Sequence, residues 1–161
     1  MQDKRPHDPF LSLLSLLTVI FSLIVIVFGA YTRLTDSGLG CPDWPGCYGK
    51  VSPSDLNLSS GDSIKAWIEM IHRYIASTLG VMIIVIAIRA HNTRSSFLSK
   101  LLLILVLLQG LLGMYTVTLK LYPIVVLMHL FGGITICSLA FLIWLNGIKF
   151  TNNIPNYKVE W

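Results

Sequence analysis

"FLSLLSLLTVIFSLIVIVFGA", Phe10 to Ala30, runs for 21 residues without one charged side chain. At roughly 1.5 Å per helical residue it reaches about 30 Å, the thickness of a bilayer's hydrocarbon core. Water is absent there, so backbone amides and carbonyls must pair within the segment, and the segment must be a helix. Three more stretches read the same way: Ala66 to Ile88, Phe97 to Thr118 and Tyr122 to Trp144. The composition of the 161 residues agrees, with 54% hydrophobic and 12% charged and a mean hydropathy of +0.71. A soluble domain carries about 25% charged residues. The expected fold class is an all-α membrane protein, a four-transmembrane-helix antiparallel bundle with one long extracytoplasmic loop. The first stretch is too long for a typical signal-peptide core, and bulky Phe28 stands where a cleavage site needs a small residue, so it reads as a retained helix. No internal repeat and no low-complexity linker is evident, and residues 1–161 read as a single membrane domain.

Lysine and arginine set the expected orientation. Lys4, Arg5, Arg89, Arg94, Lys100, Lys149 and Lys158 fall on one side, against Arg33, Lys50, Lys65, Arg73 and Lys120 on the other. The alternation places both termini in the cytoplasm, as in a multi-pass protein of the bacterial inner membrane. The net charge of +4 is thus a topology signal. The basic residues form no patch, and no nucleic acid is expected as a partner; membrane lipid is. Loops 89–96 and 119–121 are short, so neighbouring helices are antiparallel and adjacent.

Two segments need not be membrane: the loop 31–65, expected outside the cytoplasm, and a cytoplasmic tail, 145–161. Glycine and proline punctuate the loop too often for a long helix. Trp44, Tyr48 and Trp67 suit the headgroup level. Cys41 and Cys47 lie in this loop, in a compartment where disulfides persist, while Cys137 reads as a packing residue in the fourth helix. With two thiols and no nearby histidine, the loop is no zinc site. Ser15, Thr18 and Ser22 mark a packing face of the first helix. Gly110 and Gly113, with Gly132 and Gly133, offer bare surface to a neighbouring backbone or to a flat ligand.

Ionisable residues inside membrane helices are costly and usually functional. "WIEMIHRY", 67–74, puts Glu69, His72 and Arg73 on about one face of the second helix. "LMHLFGG", 127–133, holds His129 alone in an apolar run, and "LLQGLLG", 107–113, holds Gln109. Helices two and four enter from the same side, so His72 lies roughly 9 Å deep and His129 roughly 10 Å. Two histidines at one level across a nearly uncharged bundle suit axial ligation of a heme iron. Zinc wants three or four ligands and fits less well. Two readings of Glu69 stand: an i,i+4 ion pair with Arg73, or a proton-transfer group near the ligand. Arg73 has the chemistry to pair with a heme propionate.

Taken in order, "GAYTRLTDSGLGCPDWPGCYGK" (29–50), "EMIHRYIASTLG" (69–80), "QGLLGMYTV" (109–117) and "MHLFGG" (128–133) resemble the amino-terminal half of heme A synthase. That family oxidises the methyl group of heme O to the formyl group of heme A for terminal oxidases, with eight helices in two similar halves. The resemblance implies that His72 and His129 are the axial ligands facing the substrate heme and that Glu69 is the catalytic acid. It also implies that Cys41 and Cys47 are the outer-loop pair able to form a disulfide, with a structural staple favoured over a transient thiol role. The family's second half, which carries another histidine pair and heme B, has no counterpart here. The expected partners are heme O, a second copy of the chain or a separate four-helix half, and the assembly route through heme O synthase and the terminal oxidase. Two other functions stand beside the enzyme: a bis-histidine cytochrome b carrier or non-catalytic heme-binding assembly subunit, and a quinone-linked thiol oxidoreductase. The last normally needs a second cysteine pair or a CxxC, which the sequence lacks.

Overall fold

The computed structural model describes residues 8–55 and 58–147. Four helices account for most of them: α1 (Pro9–Leu34), α2 (Ser60–Ala90), α3 (Ser96–Thr118) and α4 (Pro123–Gly147), with one 3-10 turn, Pro53–Asp55, in the α1–α2 loop. Each helix is long and apolar enough to cross a membrane, and no strand occurs among the described residues. The chain is an all-α, multi-pass membrane bundle. Lys4, Arg5, Lys149, Lys158 and the tail beyond Gly147 lie outside the described residues.

Two helices are longer than their apolar runs. α1 starts at an Asp8 cap, whose carboxylate accepts from the amides of Phe10 and Leu11, with Pro9 in the first turn. It continues past Ala30 to Leu34, because nothing in Tyr31–Leu34 breaks a helix, and it stops before Asp36 at φ 50°. α2 starts six residues before Ala66. Ser59 caps it, accepting from the Asp62 amide and donating to the Asp62 carboxylate. A lipid-length rule ends a span at its last apolar residue, whereas backbone hydrogen bonding carries the helix on into the polar phase.

Each helix packs against its neighbours in sequence, and α1 closes the ring against α4; the diagonal pairs α1/α3 and α2/α4 make no close contact. The start of α1 meets the end of α2, where Arg89 donates to Asp8 at 2.8 Å and covers the Phe10 ring. This antiparallel ring has two packed zones. Away from the long loop, Leu11, Leu79, Ile83, Ile86, Leu102, Ile136 and Ile143 form the main core. Ser15, Thr18 and Ser22 are buried against it with their hydroxyls bonded to carbonyls of their own helix, and Cys137 lies half-buried near the Val19 carbonyl. At the loop end, Cys41, Cys47, Ala66 and Met70 make a small second cluster. Between the two zones, no residue is fully buried in 26–31, 71–78, 103–116 or 123–135.

Candidate functional site

His72 and His129 fall between the two packed zones, one on each of the diagonal helices α2 and α4. These helices run in the same direction across the bundle. Each histidine has a slot on a neighbour. The His72 ring stacks nearly parallel to Phe28, with 6.4 Å between centroids and 7° between planes, and it also faces Gly29, where a Cβ would stand 2.9 Å from its Cε1. His129 faces Gly113 of α3, where a Cβ would stand 3.4 Å from its Cε1. Both imidazoles keep Nδ1 buried without a hydrogen-bond partner. Buried polar atoms are normally satisfied, so the fold has left these two uncommitted. Among the described residues, no three His, Cys, Asp or Glu side chains converge as a metal cluster. The donor set is two imidazoles, the number of axial positions on a heme iron.

The two slots expose a repeat that a reading by hydropathy alone passes over. Gly29-Ala30-Tyr31-Thr32 before the α1–α2 loop recurs as Gly113-Met114-Tyr115-Thr116 before the α3–α4 turn. Each Gly receives the histidine of the following helix, each Thr hydroxyl bonds back to its own helix, and each Tyr is exposed. The two stretches share a short Gly-x-Tyr-Thr pattern, placed alike near the ends of α1 and α3. The motif was legible in the sequence, and its importance appears only once each Gly is seen against a ring.

The glycines on α4 serve a different purpose from the expected one. Gly132 is occupied by Gln109 of α3, whose amide oxygen stands where a Cβ would go and whose Nε2 donates to the His129 carbonyl. Gly133 faces Ile26 and the same Gln109. Bare surface expected beside His129 at these two glycines is helix-packing surface, and Gly110 faces open space.

Above the histidines, α2 holds the loop. Arg73 Nη2 donates to Glu69 Oε1 at 2.5 Å, and Nη1 donates to the carbonyls of Asp43 (3.0 Å), Pro45 (3.2 Å) and Gly46 (2.6 Å). Glu69 is 4% exposed, and its other oxygen accepts from the Cys41 amide at 2.9 Å. The pair expected at i,i+4 forms, but buried and joined to the loop backbone rather than at the membrane surface. The Arg73 donors facing the loop already have acceptors. Cys41 and Cys47 form a disulfide, and both are fully buried. Asp43 closes the turn between them by accepting from the amides of Tyr48 and Gly49, each at 2.6 Å. Gly40 lies so close to the Lys65 backbone that a Cβ would be 2.5 Å from its carbonyl carbon, which seats the loop directly on the start of α2.

Comparison with known proteins places these features in a wider set. The sequence family COX15-CtaA, described as cytochrome oxidase assembly protein, matches residues 12–158. A heme A synthase of Shewanella oneidensis is 49% identical over 142 residues, covering 80% of this chain and 43% of the relative. Heme A synthases of Halalkalibacterium halodurans and Alkalihalophilus pseudofirmus are 32% and 35% identical, covering 91% and 87% of this chain and 48% and 46% of those proteins. The chain spans less than half the length of these curated relatives.

Proposed function

The chain belongs to the COX15-CtaA family of cytochrome oxidase assembly proteins, and from that premise we propose that it is a heme O-binding unit of heme A synthesis, oxidising the heme O methyl group to a formyl. The observation that carries the reading is a pair of histidines on diagonal helices, between the two packed zones, each with a buried Nδ1 that has no hydrogen-bond partner. Two imidazoles with uncommitted Nδ1 atoms suit a heme iron, and His72 and His129 would hold it. When bound, the heme would supply the methyl group to be oxidised, with the formyl oxygen taken from water and the electrons passed to an acceptor outside this chain.

The chain's own residues then do three things. Phe28, Gly29 and Gly113 orient the imidazoles. The disulfide loop, held by Arg73 and seated on α2 at Gly40, covers the loop end of the bundle and keeps water from it. Glu69, one helical turn above His72, is the acidic group placed to accept protons that the oxidation releases. To do so it must exchange the Cys41 amide or Arg73 for the proton at one carboxylate oxygen. A propionate reaching Arg73 would likewise displace a loop carbonyl. Full burial of both cysteines leaves an incoming thiolate no route, which supports the staple over a transient thiol role.

Relatives of about twice the length support a working enzyme of two four-helix units, the second supplied by another copy or by a separate chain, in the bacterial inner membrane with the disulfide loop outside and both termini cytoplasmic. The engaged state of both Glu69 oxygens favours a second reading, a bis-histidine heme carrier or assembly subunit without substrate chemistry. The test is the heme extracted from the purified chain and from its host cells, separated by chromatography. Heme O or heme A on the chain, lost in the His72→Ala and His129→Ala variants, supports the first reading. Heme B alone favours the carrier, and no heme overturns both.

A further inference from the structure

Gln109 is a half-buried amide side chain set between α3 and α4, and it makes an unusual contact for a packing residue. Its Nε2 donates to the backbone carbonyl of His129, and its Oε1 fills the notch left by the missing side chain of Gly132. The His129 carbonyl sits in mid-helix, where an α-helix already supplies a donor from Gly133. The bond from α3 is therefore additional. Nothing in α4's own folding needs it. Its effect is to tie one peptide of α4, the one carrying the histidine, to a fixed point on α3. His72 has no equivalent tie; its ring is set instead by Phe28.

We propose that Gln109 is a positioning residue, setting through the His129 carbonyl and Gly132 the angle at which His129 meets a heme iron. The inference rests on the heme reading of the two histidines. A Cβ at Gly113 would meet only the Cε1 edge of the His129 ring, so this contact by itself does not fix the ring's angle. Turning α4 by a few degrees moves the imidazole plane by the same amount, and the relative orientation of two axial imidazole planes governs the electron paramagnetic resonance g values of low-spin ferric heme.

The experiment uses the full chain purified in detergent and loaded with iron protoporphyrin IX, as wild type, Gln109→Met, Gln109→Glu and Gly132→Ala. Gln109→Met removes both polar contacts at nearly constant volume, and Gln109→Glu keeps one donor as the buried neutral acid. Gly132→Ala pushes the amide away while leaving every polar group in place. The expected result is a shifted low-spin g value and a roughly threefold weaker heme affinity in Gln109→Met, the equivalent of one interhelical hydrogen bond in a membrane. Gly132→Ala shifts the g value in the same way, and Gln109→Glu returns it toward wild type. Should Gln109→Met fail to fold, Gly132→Ala against wild type decides the matter. A wild-type g value and affinity in the folded variants overturns the positioning role while leaving the histidine ligands standing. A wild-type heme spectrum that survives both His72→Ala and His129→Ala overturns the heme reading itself and the proposal with it.

Discussion

Replacing Arg73 with Met removes one guanidinium and strands a carboxylate. Arg73 and Glu69 side chains are 13% and 5% exposed, so this is a buried pair and not a screened surface contact. After the substitution Glu69 keeps only the Cys41 amide, and the carbonyls of Asp43, Pro45 and Gly46 lose their shared donor. Breaking a buried pair from one side costs about 3–5 kcal/mol, most of it the uncompensated charge. Glu69→Gln strands the guanidinium instead of the carboxylate, but Arg73 retains the three loop carbonyls, so its cost is smaller, about 2–3 kcal/mol. The double variant, Glu69→Gln with Arg73→Met, buries no charge and should be more stable than Arg73→Met alone. That ordering is the signature, because additive losses would make the double variant the least stable of the three. Equilibrium unfolding in mixed micelles, followed by circular dichroism with the disulfide intact, gives all four corners of the cycle. A cost below about 1 kcal/mol for Arg73→Met, the range of exposed pairs, would refute the reasoning, as would strict additivity.

Gly29→Ala places a methyl 2.9 Å from the His72 ring, against 3.4 Å from the His129 ring for Gly113→Ala. Heme titration should therefore show roughly tenfold weaker binding for the first and a smaller loss for the second, from an overpacking cost of about 1–3 kcal/mol. Alkylation of unfolded, unreduced protein should modify Cys137 alone, since Cys41 and Cys47 are paired; Cys41→Ser should cost about 2–3 kcal/mol in the same unfolding assay. Asp8 is slightly desolvated, which would raise its pKa, but the Leu11 amide, Arg89 and the Phe10 amide outweigh this and hold the carboxyl below its usual range. A carboxyl lowered in the folded state stabilises above its unfolded pKa and stops doing so as pH falls through its folded pKa. Asp8→Asn should thus lower the melting temperature near neutral pH, and the gap to wild type should close in acid; a gap that is constant with pH would remove Asp8 from the balance.

The four helices, their order and their antiparallel sense were written in the sequence, because a 20-residue apolar run has one way to satisfy its backbone in lipid. The Glu69–Arg73 pair followed from helical spacing. These are local facts, governed by residues a turn or a helix apart. Tertiary structure decided what each of those residues is attached to. Cys41 and Glu69 are 28 positions apart, so no spacing rule joins the disulfide loop to the carboxylate. The sequence offered Arg73 as a ligand for a propionate, and the fold turned its donors toward three loop carbonyls. Gly132 and Gly133 read as open surface, yet Gln109 and Ile26 occupy it. Gly29 and Gly113, unmarked by charge or hydropathy, matter because each stands opposite an imidazole. A glycine displays nothing but the absence of a side chain, and what uses that absence is known only when another helix is packed against it.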